Sequence, residues 1–381
     1  MAALSQKVEA GTASRRTRLP SLTGLRFIAA AMVFCLLVIH EHVFASPAAE
    51  TVYFKIFWLA GAAGVSCFFI LSGFVLTWSA RQTDTKATFW RRRACKIYPN
   101  HLVTFVVALA GLIWVQKATV DGGVTVLNLF LVQSYSPDLE VRASVNSVAW
   151  SLSCEALFYF AFPFLISLVK RIRPERLWAW TAGVVALIFL VPVLAGLLPD
   201  QEPFPVVGIT EWDTYFIYQL PPVRMLDFVF GILLARIVMT GQRLPLSLRG
   251  AALLAVVAFA VEPLVPPRFS IVAFMTVPLG LLIAAGAVAD TENRPTWLSG
   301  RVMVWLGEVS FAFYMWVQLV LTYGHQLLGG GSWDAPAAFG VAASLFAATL
   351  LLAWLLFSLV ERPVMRRFAT PRRRLSTVQP E

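Results

Sequence analysis

The sequence predicts an all-α, polytopic membrane bundle of about ten transmembrane helices with both termini in the cytoplasm. Three observations carry this. The 381 residues are 58% hydrophobic and 14% charged, with a mean hydropathy of +0.72, whereas soluble domains are about half apolar and a quarter charged. Ten runs approach the roughly 20 apolar residues that a bilayer span needs. Positive charge recurs between alternate runs, as the positive-inside rule requires. The net charge of +10 therefore reads as topology. Nucleic-acid binding is not expected, because the cations flank apolar runs instead of lining one face.

Residues 1–20 are expected to be a disordered cytoplasmic arm, with Arg15, Arg16 and Arg18 before the first span. No small-residue cleavage site follows that span, so it is read as a retained helix. The membrane unit is expected over 21–362. Its spans are 24–44, 60–80, 98–116, 147–169, 177–197, 217–236, 250–265, 269–288, 302–323 and 336–359. The seventh is short and contains Glu262 and Pro263. Residues 363–381 form a basic cytoplasmic tail suited to anionic lipid, and no soluble domain is expected at either end. With both termini inside, 25 of the 31 Lys and Arg residues fall on the cytoplasmic side.

The four cysteines form no CxxC pair, so neither a disulfide framework nor a zinc site is expected. The histidine spacings offer no metal-ligand set, and no permanently bound cofactor is expected.

Polar residues inside these runs are the candidates for chemistry, since ionisable groups in a membrane are costly and often functional. The first run ends in "CLLVIHEHVFA". His40 lies about 21 Å along a helix from Arg26 and about 40° away in phase, so the two share a face. His42 falls about 160° from Arg26, on the opposite face. His40 can serve as a general base; the alternative puts all three ionisable groups, His40, Glu41 and His42, in the solvated interface. In "GVSCFFILSGF", Ser66, Ser72 and Gly73 suit close helix packing, and Ser72 is the best candidate for a hydrogen-bonding role. In "FWRRRACKIYPNH", Arg91, Arg92, Arg93 and Lys96 suit phosphate oxygens or serve as a topological anchor. Glu155, in "SLSCEALFYF", sits about 12 Å inside its span and wants a partner: His, Arg or a substrate hydroxyl. Arg224 and Asp227, three apart on a helix, can pair with each other. His101 and His325 lie near span ends, where solvation is the default.

Taken together these pieces resemble the acyltransferase 3 family of membrane O-acyltransferases. "LTGLRFIAA" matches its first helix, "GVSCFFILSGF" its second, "RRACKIYP" its basic motif, "WSLSCE" its glutamate helix and "SFAFYMWV" (Ser310–Val317) a late helix. The matches run in order over about residues 20–365. There are three departures. Thirteen residues separate Arg26 from His40 where the family usually has ten, so Leu37 holds the usual histidine position. Lys96 replaces an arginine, and Val317, beside Gln318, replaces a late histidine.

The resemblance implies acyl transfer from cytoplasmic acyl-CoA, as co-substrate, to a hydroxyl on a glycan or a glycosylated or polyketide metabolite. Family members of similar compact size include enzymes that acylate macrolide antibiotics. On this reading Arg26, Arg92, Arg93 and Lys96 hold the donor, and Ser72, Arg224 and Tyr314 contact substrate. His40 acts as base, and Glu155 orients His40 or the acceptor. The location is the inner or plasma membrane, multi-pass. The competing reading is a transporter or exporter of a polar metabolite, with the intramembrane charges lining its path.

Overall fold

The computed structural model describes residues 18–81, 84–199, 201–204 and 207–369. Nearly all of the expected N-terminal arm and most of the expected tail lie outside the described residues. Ten long helices dominate. They are α1 (Pro20–Val38), α2 (Pro47–Ser79), α3 (Lys86–Ala110), α4 (Trp150–Val169), α5 (Leu177–Ala195), α6 (Pro221–Met239), α7 (Leu248–Val261), α8 (Ala273–Thr291), α9 (Arg301–Leu327) and α10 (Ala335–Leu356). Each overlaps one expected span.

Eight of the ten are long and apolar enough to cross a bilayer. The two outside that set have clear reasons. α6 carries Arg224, Asp227 and Arg236. α7 has 14 residues, about 21 Å, and gives way to a 3₁₀ turn at Glu262–Leu264. Among the described residues the only β pairing is an isolated bridge between Phe44 and Trp333.

Helix starts follow local chemistry. Ser46 accepts a hydrogen bond from the Ala49 amide ahead of Pro47, and Thr85 accepts one from the Thr88 amide, both ordinary N-caps. α1 has no such side chain of its own. Its first turn is held from a distance: the Ser21 amide and hydroxyl donate to Asp290 at 2.9 and 2.6 Å. This contact with the last turn of α8 fixes the end of α1 that carries Arg26.

α2 is the centre of the bundle, packed on α1 and α6. At Gly73 an added Cβ would collide with the Phe228 carbonyl, and at Gly231 with the Ile70 carbonyl. The two backbones therefore touch, which is what small residues permit at helix crossings. α9 packs on α1 and α10, and α7 on α8. Large apolar side chains point outward, among them Phe160, Leu168, Leu253, Val256 and Leu359. Such faces are unfavourable in water and match lipid tails.

The basic ends of the helices lie together, so the bundle has a basic end and a far end. α2 begins well before its expected span, and its extra turns rise at the far end. Each of three π-helical stretches, Gly111–Val115, Thr214–Gln219 and Phe357–Glu361, contributes residues to a cavity wall. Such bulges recur at functional sites.

Candidate active site

Two cavities open into the bundle. At the basic end a pocket of about 520 Å³ is lined by Thr23, Arg26, Lys96, Glu308, Ser358 and Arg362, with Trp305 and Trp354 among its walls. It therefore offers three cations and two indoles. At the far end a larger cavity of about 730 Å³ is lined by His40, Phe54, Trp58, Trp150, Tyr218 and Tyr314, with Ser147, Gln219 and Gln318 among a few polar groups.

A partly buried charge cluster lies between them, sharing Arg26 and Lys96 with the basic pocket. Glu155 has Arg26, Arg93 and Lys96 as its charged neighbours, and Tyr159 donates to it at 3.2 Å. Ser72 lies beside the Tyr159 hydroxyl. Arg93 lies over the rings of Phe89 and Tyr159 at 5.7 and 5.9 Å. Lys96 donates to Glu361, which also accepts from Asn100. Glu361 is almost fully buried. Glu155 is five residues beyond Trp150 of the far cavity, about 7.5 Å along the helix. The cluster thus occupies the level between the two cavities.

The structure separates residues that the sequence had grouped. Arg26 lines the basic pocket and His40 the far cavity. They stand at opposite ends of α1: Val33 and Leu37, which share the helical phase of Arg26, line the far cavity with His40, and the α-helix gives way after Val38 to a 3₁₀ turn over Ile39–Glu41. Glu155 keeps company with arginines and a lysine. Arg92 and Lys96, four apart, also part company. Arg92 grips Asp84 with both guanidinium arms, and that pair holds the Asp84 carboxyl below the usual carboxylate range. Arg224 is fully buried, paired with Asp227 at 3.0 Å and donating to Ser66 at 2.8 Å. Its guanidinium lies against Phe69 and Tyr218, so it stands behind the cavity wall. The Tyr314 hydroxyl donates to the Val148 carbonyl at 3.1 Å, leaving its ring to line the cavity. His42 is exposed in a left-handed conformation (φ 49°), with Nδ1 2.5 Å from Glu50. The two end-of-span histidines depart from the solvated default. His101 and His325 are 0% and 7% exposed, held by the Leu129 and Gly331 carbonyls.

Several polar residues at these sites carried no sequence signal. Arg142 is 1% exposed in the far-end loop; it donates to Gln219 at 2.8 Å and faces Glu211 at 3.5 Å. Burial pulls its guanidinium below the ordinary value, and Glu211 opposes this. Thr322 joins Gln318 to Glu41, two residues the sequence had marked, in a connected chain. Glu361 and Arg362 come from the edge of the expected tail.

Comparison with known proteins settles the family. The sequence model of the acyltransferase 3 family, an acyltransferase domain, matches residues 19–358. The chain belongs to the acyltransferase 3 family. It is 42% identical to acyltransferase MdmB of Streptomyces mycarofaciens over 92% of this chain and 93% of the relative. It is 28% identical to the exopolysaccharide production protein ExoZ of Rhizobium meliloti, over 81% of this chain and 90% of that one. The O-acetyltransferase OatA of Staphylococcus aureus matches at 23% identity over 81% of this chain and 54% of its own length. No solved structure matches the chain. As an acyltransferase 3 protein with eight helices fit to span a bilayer, the chain is a multi-pass membrane protein.

Proposed function

We propose that the protein is a plasma-membrane O-acyltransferase that moves a short acyl group from cytoplasmic acyl-CoA to a hydroxyl of a glycosylated or polyketide-type metabolite. The ten helices form the membrane unit, eight of them long and apolar enough to cross the bilayer, with the basic end and both termini in the cytoplasm. One observation carries the reading. A cationic, indole-walled pocket and a largely apolar cavity sit at opposite ends of one partly buried charge cluster.

Arg26, Lys96 and Arg362 meet the donor phosphates, and Trp305 or Trp354 stacks on the adenine. Arg93 lies deeper, beside the path of the pantetheine arm. His40, at the far cavity, takes the proton from the acceptor hydroxyl as its oxygen attacks the thioester carbon. The C–S bond then breaks, and the same proton passes to the departing thiolate. The rise from Arg26 to His40, about 21 Å, matches the scale of an extended pantetheine arm. The far cavity's walls are mainly aromatic and aliphatic, with few polar groups, the usual make-up of small-molecule sites. That lining favours a polyketide-type acceptor over a polysaccharide.

The test uses purified protein in nanodiscs with radiolabelled acetyl-CoA and two acceptors, a glycosylated macrolactone and an oligosaccharide. The macrolactone is acylated and the oligosaccharide is not. His40→Ala lowers turnover about 10²–10⁴-fold, the usual worth of a general base, and His42→Ala leaves it within about twofold. Loss with His42→Ala and full activity with His40→Ala overturns the assignment. Movement of acceptor across vesicles with no acyl donor present supports transport instead.

A further inference from the structure

Glu41 follows His40 in the 3₁₀ turn at the far end of α1. Its carboxylate is largely buried and held by α9 at both oxygens. The Thr322 hydroxyl donates to Oε1 at 2.9 Å, and His325 Nδ1 lies 3.5 Å from Oε2. His325 is fixed on its other side, where Nε2 is 2.8 Å from the Gly331 carbonyl. A carbonyl only accepts, so Nε2 carries a hydrogen. His325 is thereby held with its Nε2 on the Gly331 carbonyl and its Nδ1 facing the Glu41 carboxylate.

The chain continues toward the cavity. Thr322 accepts from Gln318 Nε2 at 2.8 Å, and Gln318 Oε1 accepts from Ser147 at 3.3 Å. These contacts settle which way the Gln318 amide points and leave it one N–H unclaimed by them. Ser147, Gln318, Thr322 and His40 all line the cavity, whereas Glu41 and His325 stand behind it. A mere brace between α1 and α9 does not need this extension. The bridge at Phe44 and Trp333, with amide hydrogen bonds of 2.8 and 2.9 Å, already ties the two segments together.

We infer that Glu41 is a positioning residue for acyl transfer: clamped by Thr322 and His325, it fixes the turn that presents His40 and, through Thr322, the amide of Gln318. The inference rests on the reading of His40 as base. It adds that α9 sets the base's geometry from behind the cavity wall, where a 1 Å misplacement costs about 10²-fold in rate.

The experiment is steady-state kinetics of wild type, Glu41→Ala, Glu41→Gln and Thr322→Val in nanodiscs with acetyl-CoA and the macrolactone. Melting temperature and acetyl-CoA affinity are measured in parallel. Glu41→Ala is expected to lower kcat about 10²-fold with acetyl-CoA KM unchanged. Glu41→Gln, which can accept from Thr322 and donate to His325, recovers at least tenfold. Thr322→Val, which deletes one hydrogen bond at nearly constant shape, lowers kcat about tenfold and replaces Glu41→Ala if the latter does not fold. The inference is overturned by Glu41→Ala turning over within threefold of wild type. It is equally overturned by Glu41→Gln and Thr322→Val losing turnover only in step with melting temperature and donor affinity. An inactive His40→Ala beside a fully active Glu41→Ala sinks this inference alone, and a fully active His40→Ala sinks the reading beneath it.

Discussion

The two ends of the bundle are built by opposite physics. The basic pocket is made of ions on helices: Arg26 on α1, Lys96 on α3 and Arg362 just past α10. The far cavity is made of rings and aliphatic walls, many from the far-end segments around 139–150 and 204–219. Membrane helices can carry a few charges only where partners neutralise them, and here Glu155 and Glu361 do so. The far end carries one buried cation, Arg142, balanced by Glu211 and Gln219, and is otherwise apolar. It needs shape, which the loops and the early turns of α2 supply. The difference teaches that one end is tuned by charge balance and the other by volume, so substitutions at the two ends should fail in different ways.

The largest separation is expected at Glu155. Its removal leaves Arg26 and Arg93 without the carboxylate they face, while Lys96 keeps Glu361, and losing the partner of a partly buried charge costs about 1–3 kcal/mol. Glu155→Ala should therefore lower the melting temperature in detergent and abolish transfer. Pairing it with Arg93→Met, which deletes a cation that faces Glu155 and has no ion pair of its own among the described residues, should restore part of the stability. If the single variant melts like wild type, the cluster does not balance charge in the way argued here.

A smaller, cleaner contrast compares one residue from each end. Arg26→Ala removes a charge-assisted contact worth about 1.5–3 kcal/mol, so acetyl-CoA KM should rise about 10–150-fold with acceptor KM unchanged. Trp58→Ala opens the far cavity without touching charge. Acceptor KM should rise about tenfold, corresponding to about 1.4 kcal/mol, with bulkier acceptors gaining relative to small ones and donor KM unmoved. Crossed effects, with Trp58 changing donor KM or Arg26 changing acceptor KM, would merge the two cavities into one site.

This contrast also explains what could be read from the sequence. The spans were legible, because length and hydropathy are properties of the chain alone: ten runs anticipated ten long helices. The ions of the charge cluster were legible for the same reason, since Arg26, Arg93, Lys96 and Glu155 are conspicuous in apolar surroundings. Their partnership was not, because it joins three helices distant in sequence. His40 was visible, and Val33 and Leu37, in helical phase with Arg26, line the same cavity as His40; what the sequence did not show is that Arg26 and His40 serve different cavities. Arg142, Gln219, Gln318 and Thr322 are ordinary residues until folding brings them to one wall. Glu361 was hidden by its neighbours, since "VERPVMRRF" reads as the start of a basic tail.

The smallest expected effect lies at Arg92, and it tests whether charge alone defines the donor end. Arg92 belongs to the same basic motif as Arg93 and Lys96, yet both of its arms are taken by Asp84. Arg92→Ala should change acetyl-CoA KM by less than about threefold, far less than Arg26→Ala. The pair should instead report in pH. Because Arg92 depresses the Asp84 pKa, its contribution is present above the pKa of the unfolded carboxyl, near 4. It is lost as pH falls through the lower folded value. Wild type and Asp84→Asn should therefore differ slightly in melting temperature at pH 7, by the small amount typical of exposed ion pairs, and converge as pH drops below about 4. A strong rise in donor KM for Arg92→Ala, with no change in this convergence, would place Arg92 on the donor and make Asp84 its resting partner.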